Sequence, residues 1–211
     1  MDVEFRELKK ADYPDVKKLI NDLEGFDRLI SDAYYIDKFL SLYLKKTLAE
    51  SSYCQVAVYN GEVAGVIFAS AENDENFYNP LTNSIKALLD LFKIFISSSR
   101  HRQILKAYKE GIFDIYGQLL ADKKERYQGE IKLFIVSPDR QGLHLGTGLL
   151  ERTFNYFKEQ EAGRIYLFTD TDCNYGYYDH QGFVQAGARA STLKLPGAER
   201  DLTIFLYEYD L

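Results

Sequence analysis

Apolar and polar positions alternate from Val3 to Leu8, the period of a half-buried strand. The period then changes. Val16, Leu19, Ile20 and Leu23 recur every three or four positions, which predicts a helix running to about Glu24. Asp12 and Pro14 open it as cap and first-turn residues. A second helix is predicted over about 32–49. Runs at 53–59 and 62–70 are rich in Val, Ala, Ile and Tyr and read as strands. Asn60-Gly61 between them predicts a tight hairpin.

From Asn73 to Gln128 the pattern is helical again. Thr82 or Asn83 can cap a first helix, whose apolar stripe is Ile85, Leu88, Leu89, Phe92, Phe95 and Ile96. Ser97-Ser-Ser99 ends it. A second helix carries Ile104, Tyr108, Ile112, Ile115, Tyr116 and Leu119, and Gly111 weakens it. Lys86, Asp90 and Lys93 interrupt the first stripe too often for a membrane span. Such a hairpin can pack on a sheet, form a lid over a substrate, or make a homodimer contact.

The strand pattern returns at Ile131–Val136 and again at Arg164–Thr169. Between them Leu145, Leu149, Leu150, Phe154 and Phe157 keep a helical period. Strand, helix, strand predicts a parallel pair with a right-handed crossover. Closing strands are expected at 184–191, 191–195 and 202–209, with a turn at Pro196-Gly197. The fold class is α/β (α+β): a mixed central sheet flanked by helices, read as one domain over 1–211 with a helical hairpin inserted at about 73–128.

Composition narrows the function. The chain has 211 residues, 46% apolar and 27% charged, ordinary for a soluble globular protein. Its net charge of −6 argues against a nucleic-acid partner and mildly favours a cationic one. Two cysteines, Cys54 and Cys173, make no disulfide framework and read as small apolar fillers. The N-terminus lacks the order of a signal peptide and no apolar run is long enough for a membrane, so a cytoplasmic location is expected. No cluster with metal-ligand spacing occurs, so no metal is expected.

The richest segment is Val136-Ser-Pro-Asp-Arg-Gln-Gly-Leu-His-Leu-Gly-Thr-Gly-Leu-Leu150, a strand end, a glycine-rich turn and a helix start. A turn that opens a helix leaves N–H groups unpaired at the positive end of its dipole, a seat for phosphate. A P-loop is excluded, because no Lys-Ser or Lys-Thr follows the glycines. Gly146-Thr-Gly148 begins a dinucleotide-binding pattern, but its third position is Glu151. Gln141-Gly-Leu-His-Leu-Gly146 instead resembles the Gln/Arg-x-x-Gly-x-Gly/Ala signature of the GCN5-related N-acetyltransferases, the GNAT family. Downstream, Tyr178-Asp-His-Gln-Gly-Phe183 resembles that family's Tyr-x-x-x-Gly-Phe motif. The resemblance is specific over about 131–183.

That resemblance implies an acetyl-coenzyme A-dependent N-acetyltransferase acting on a primary amine of a small molecule or peptide. It implies that main-chain groups of Phe134, Ile135 and Val136 hold the pantetheine arm. Gln141, Gly142, Leu143, His144, Leu145, Gly146 and Thr147 would bind the pyrophosphate. Tyr178 would be general acid, its phenol protonated at neutral pH, with Asn174 beside the cofactor. Glu72 and Glu130, at the ends of the flanking strands, are candidate general bases. His144 departs from the pattern, standing where the family usually has its first glycine. A second reading therefore stays open: a catalytically degenerate coenzyme A-binding protein with a regulatory or interaction role.

Overall fold

The computed structural model describes residues 3–121, 123, 126–140 and 142–211. Seven strands form one sheet: β1 (Val3–Glu7), β2 (Tyr53–Tyr59), β3 (Glu62–Ala71), β4 (Gly129–Val136), β5 (Arg164–Asp170), β6 (Val184–Leu195) and β7 (Ala198–Asp210). Their order is β1-β2-β3-β4-β5-β7-β6. Only β4 and β5 run parallel; every other neighbouring pair is antiparallel.

The helices are α1 (Tyr13–Glu24), α2 (Phe26–Leu29), α3 (Ala33–Ala49), α4 (Pro80–Ser97), α5 (Ser99–Tyr108), α6 (Asp114–Leu120), α7 (Leu145–Glu159) and α8 (Gly176–His180). On one face, α1 and α3 bury Val16, Leu19, Ile20, Leu44 and Leu48 against Val56, Val66 and Phe68. On the other, α7 buries Leu145, Leu149, Leu150 and Phe157 against Ile67, Ile131 and Ile165. Local chemistry sets the helix ends. Asp32 accepts the Tyr34 N–H at 2.8 Å and starts α3. Gly25, at φ +69°, closes α1 in the left-handed region.

Two irregularities shape the sheet. The β3–β4 register skips one residue, so that Phe68 faces Leu133 while Ala69 faces Ile131, and Lys132 bulges out. The faces reverse there. Ile131 packs on the α7 side, whereas Leu133 and Ile135, which alternation would put on that same side, pack with α1 and α3. The second irregularity adjoins it. β4 and β5 pair only from Gly129↔Ile165 to Ile131↔Leu167, then separate.

The segment between β3 and β4 is three helices, where the periodicity predicts two. A π-helical turn, Lys109–Phe113, joins α5 to α6. Gly111 lies in it because the turn presses on β6: a Cβ there would stand 2.9 Å from a Leu193 methyl. Beyond it, Ile115, Tyr116 and Leu119 pack against Leu193, Leu202, Ile204 and Phe168. α4 is different. It packs on α3 through Ala87, Asp90 and Ile94, and its large apolar side chains face outward.

Candidate active site

The gap between the separated halves of β4 and β5 is the mouth of a cleft of about 670 Å³. The Ser137 N–H bonds to the Ala64 carbonyl across β3 at 2.8 Å. By strand alternation Phe134 and Val136 turn their main-chain groups the other way, into the gap. Ile135 faces β3 instead and its side chain is buried with α1 and α3. The strand therefore offers an edge to which an extended amide-bearing arm can add.

At the end of β4 the chain makes a 3-10 turn over Pro138–Arg140 and enters α7. Gly142 sits at φ +80° with open space where a Cβ would be. His144, immediately before α7, is at φ +56°. Left-handed backbone at this position explains a preference for glycine, and histidine is among the side chains that tolerate it better. The ring is exposed and caps nothing. The first helical bond runs from the Gly148 N–H to the His144 carbonyl at 3.0 Å, which leaves the N–H groups of Leu145, Gly146 and Thr147 heading the helix. Leu145 is buried as a side chain, and Leu143 packs into the core on the α7 side. Gln141 lies outside the described residues.

Two hydroxyls fit a missing partner. Among the described residues, Thr169 Oγ1 and Tyr177 Oη are the buried side-chain polar atoms with no hydrogen-bond partner, and both residues line this cleft. Tyr177 Oη would be 3.2 Å from a Cβ on Gly146, so it sits at the foot of the glycine-rich turn. Any larger residue at 146 would press on it. The strand edge, the helix terminus and the unpaired hydroxyls together suit a long ligand with amides at one end and phosphates at the other.

Tyr178, on α8, lines the same cleft and is wedged among aromatics. Its ring centroid is 5.8 Å from Tyr207, 5.7 Å from Phe183 and 6.4 Å from Phe134. Burial, reinforced by Cys173, Tyr177 and Asp170, raises its phenol well above the ordinary value, so it stays protonated. Burial likewise pushes the Cys173 thiol up to about 11, which removes it as a nucleophile at neutral pH. Asn174 lines the cleft and its carbonyl accepts the Tyr177 N–H at 3.1 Å, fixing the start of the α8 turn.

Glu24, the last residue of α1, is one of three carboxylates that line this cleft, with Asp170 and Asp172. Burial pushes its carboxyl up to about 7, against the pull of Tyr108, Arg200 and Tyr43. Around it stand Tyr43, Tyr108 and Tyr116. Tyr116 stacks on Phe168 with centroids 4.0 Å apart and planes 1° from parallel. Asp170, Asp172 and Arg200 complete this end, with Arg200 paired to Asp172. It is thus an acidic, tyrosine-lined compartment. Tyr116 reaches it from the helical segment between β3 and β4, as a lid residue would.

Glu72 and Glu130 lie elsewhere. Glu72 is exposed beyond β3, its N–H bonded to the Gln128 carbonyl at 2.8 Å. Glu130 is on the paired half of β4 and bonds Lys132 at 2.6 Å. Neither lines the cleft, because both stand near the end of the sheet where β4 and β5 are still closed together. Glu24 escapes sequence reasoning because it is more than a hundred residues from the motifs. The one available signal is a glutamate placed directly before the helix-ending Gly25.

The family model of the acetyltransferase (GNAT) family matches residues 13–183. The chain belongs to that family. It is an acetyl-coenzyme A-dependent acetyltransferase. No curated protein matches it. Its fold is similar to those of solved acetyltransferases throughout its length. An N-acetyltransferase from Staphylococcus aureus Mu50 is 16% identical, with a TM-score of 0.54 over 100% of this chain and 99% of that one. The putative acetyltransferase yncA from Salmonella typhimurium, solved with acetyl-CoA, is 15% identical, with a TM-score of 0.54 over 99% and 94%. The polyamine N-acetyltransferase of Drosophila melanogaster is 11% identical, with a TM-score of 0.53 over 100% of both chains. Among the described residues of this acetyltransferase no helix is long and apolar enough to cross a membrane.

Proposed function

We propose that this acetyltransferase acetylates a primary amine on a cationic small molecule, with Glu24 as general base and Tyr178 as general acid. The observation that carries the reading is the Glu24 carboxyl, pushed up to about 7 inside the acidic, aromatic end of the cleft. A primary ammonium near pKa 10 must lose a proton before it can attack. A carboxylate titrating near 7 is a far stronger base than an ordinary glutamate, yet about half of it is ionised at pH 7.

The other groups fall into place around it. Bound coenzyme A supplies the activated acetyl group. Phe134 and Val136 hold its arm through main-chain groups, and the N–H groups from Gly142 to Thr147 hold its phosphates, with Tyr177 Oη completing that seat. Gln141 and Asn174 belong to the same seat by the family resemblance. Tyr178 keeps a proton on Oη for the departing sulfur. Asp170 and Asp172, with Glu24, outnumber Arg200, so the compartment attracts a second positive charge on the acceptor. The tyrosine faces suit the same cation.

A non-catalytic coenzyme A-binding role is the weaker reading. His144 adopts the backbone that the turn needs and its ring is exposed, so the substitution leaves the seat intact. The test is a steady-state screen that follows thiol release with diamines, guanidino-amines, monoamines and a peptide N-terminus. Diamines or guanidino-amines are expected to give the highest kcat/KM. Faster turnover of neutral monoamines would sink the cationic-acceptor reading, and no turnover of any amine would favour the non-catalytic one.

A further inference from the structure

The largest feature that the cleft does not use is the outer face of α4. Leu81, Ile85, Leu88, Phe92 and Phe95 recur at spacings of four, three, four and three, the seam of a coiled coil. Leu89 and Ile96 flank it. These side chains are 74%, 51%, 65%, 59%, 56%, 52% and 61% exposed in that order. The residues that hold α4 to the protein, Ala87, Asp90 and Ile94, lie on the opposite side of the helix. Asp90 makes the attachment firm, ion-paired to Lys45 and 3.7 Å from Lys38 on α3. The helix is therefore fixed in place with its seam outward.

From the surface pattern we infer that α4 is a homodimerisation helix, pairing antiparallel with α4 of a second copy across a twofold axis near Leu88. Three observations select a second copy as the occupant. First, the seam is self-complementary. An axis near Leu88 sets Leu81 of each copy against Phe95 of the other and brings Ile85 within one residue of Phe92, as an isologous contact requires. Second, the area fits. Each side chain exposes on the order of 100 Å², so the face amounts to about 700 Å² per copy, close to the roughly 800 Å² per partner of a stable interface and above the size of an ordinary exposed patch. Third, the seam carries no charge. Lys86 and Lys93 sit one step to its side, where two antiparallel copies keep them out of the contact.

The test is sedimentation equilibrium of the full chain, wild type beside Leu88→Lys. The wild type is expected to be a dimer at micromolar concentration. Leu88→Lys places two ammoniums together on the axis and is expected to raise the dimer dissociation constant by about a hundredfold or more. Because Leu88 is exposed, the variant should keep its acetyl-coenzyme A affinity. Orientation is read by crosslinking: on mild oxidation Leu88→Cys should form a disulfide-linked dimer and Leu81→Cys should not, whereas a parallel pair would crosslink through both. A monomeric wild type overturns the inference. So does a dimer that Leu88→Lys leaves intact. A wild type that stays monomeric and co-sediments with vesicles of phosphatidylcholine and phosphatidylserine would give the face to a membrane surface instead.

Discussion

Replacing Glu24 by glutamine separates the stability of the fold from its chemistry. A carboxyl that titrates at about 7 instead of 4.5 is costly to ionise in the folded chain. At about 1.4 kcal/mol per pKa unit, that cost is about 3 kcal/mol. Because the folded pKa is raised above the unfolded one, the stability that Glu24 contributes is complete below about pH 4.5. It is lost as the pH rises through 7. Glutamine is neutral throughout and similar in shape. Urea unfolding at about pH 4 should therefore give nearly equal stabilities, whereas at about pH 8.5 Glu24→Gln should be more stable than wild type by about 2–3 kcal/mol. Activity should move the opposite way. With the base removed, kcat/KM for the amine should fall by about 10²–10⁴-fold, and its acid limb near pH 7 should vanish. The reasoning fails if the variant keeps that limb at an unchanged rate, or if its stability follows pH as the wild type does.

Three other substitutions probe separate parts of the site. Tyr178→Phe should lower kcat about a hundredfold and leave acetyl-coenzyme A affinity, measured by calorimetry, nearly intact; unchanged turnover would reject the acid role. His144→Gly should stabilise the protein in urea by at most about 1 kcal/mol, since relief at φ +56° is offset by glycine's backbone entropy, with cofactor affinity equal or better; a large loss of affinity would make the ring itself a phosphate partner. Gly148→Ala should destabilise by about 1–3 kcal/mol despite alanine's helix propensity, because its Cβ would lie 2.3 Å from the Phe5 ring; a thermal midpoint at or above wild type would show that α7 can shift away from β1.

The sequence is legible where a local signal decides the structure. Asn60-Gly61 gives the β2–β3 turn, Asp32 caps α3, and the glycines after Val136 give the turn that opens α7. It is less legible where distant segments meet. Periodicity marks α4 as amphipathic, but it is silent on which face meets the protein. The buried side holds only Ala87, Asp90 and Ile94, a stripe that reads as the polar one. Glu24 and Tyr116 reach the cleft from opposite ends of the α1–α6 layer, and no spacing in the chain relates them to Tyr178. Tyr43, Tyr108 and Tyr116 are likewise brought together at the Glu24 end of the cleft from separate helices.

The bulge at Lys132 makes the cleft a matter of counting. Remove that one residue and β4 regains an unbroken pleat, able to continue its pairing with β5 and zip the mouth shut. The same deletion would leave the faces as they are, because Ile131 and Leu133 would become neighbours and alternate onto the α7 and α1 sides they already occupy. A space of about 670 Å³, which Lys132 itself helps to line, thus opens beside one extra residue of the strand. Insertions and deletions along β4 are the changes that this enzyme has least room to absorb.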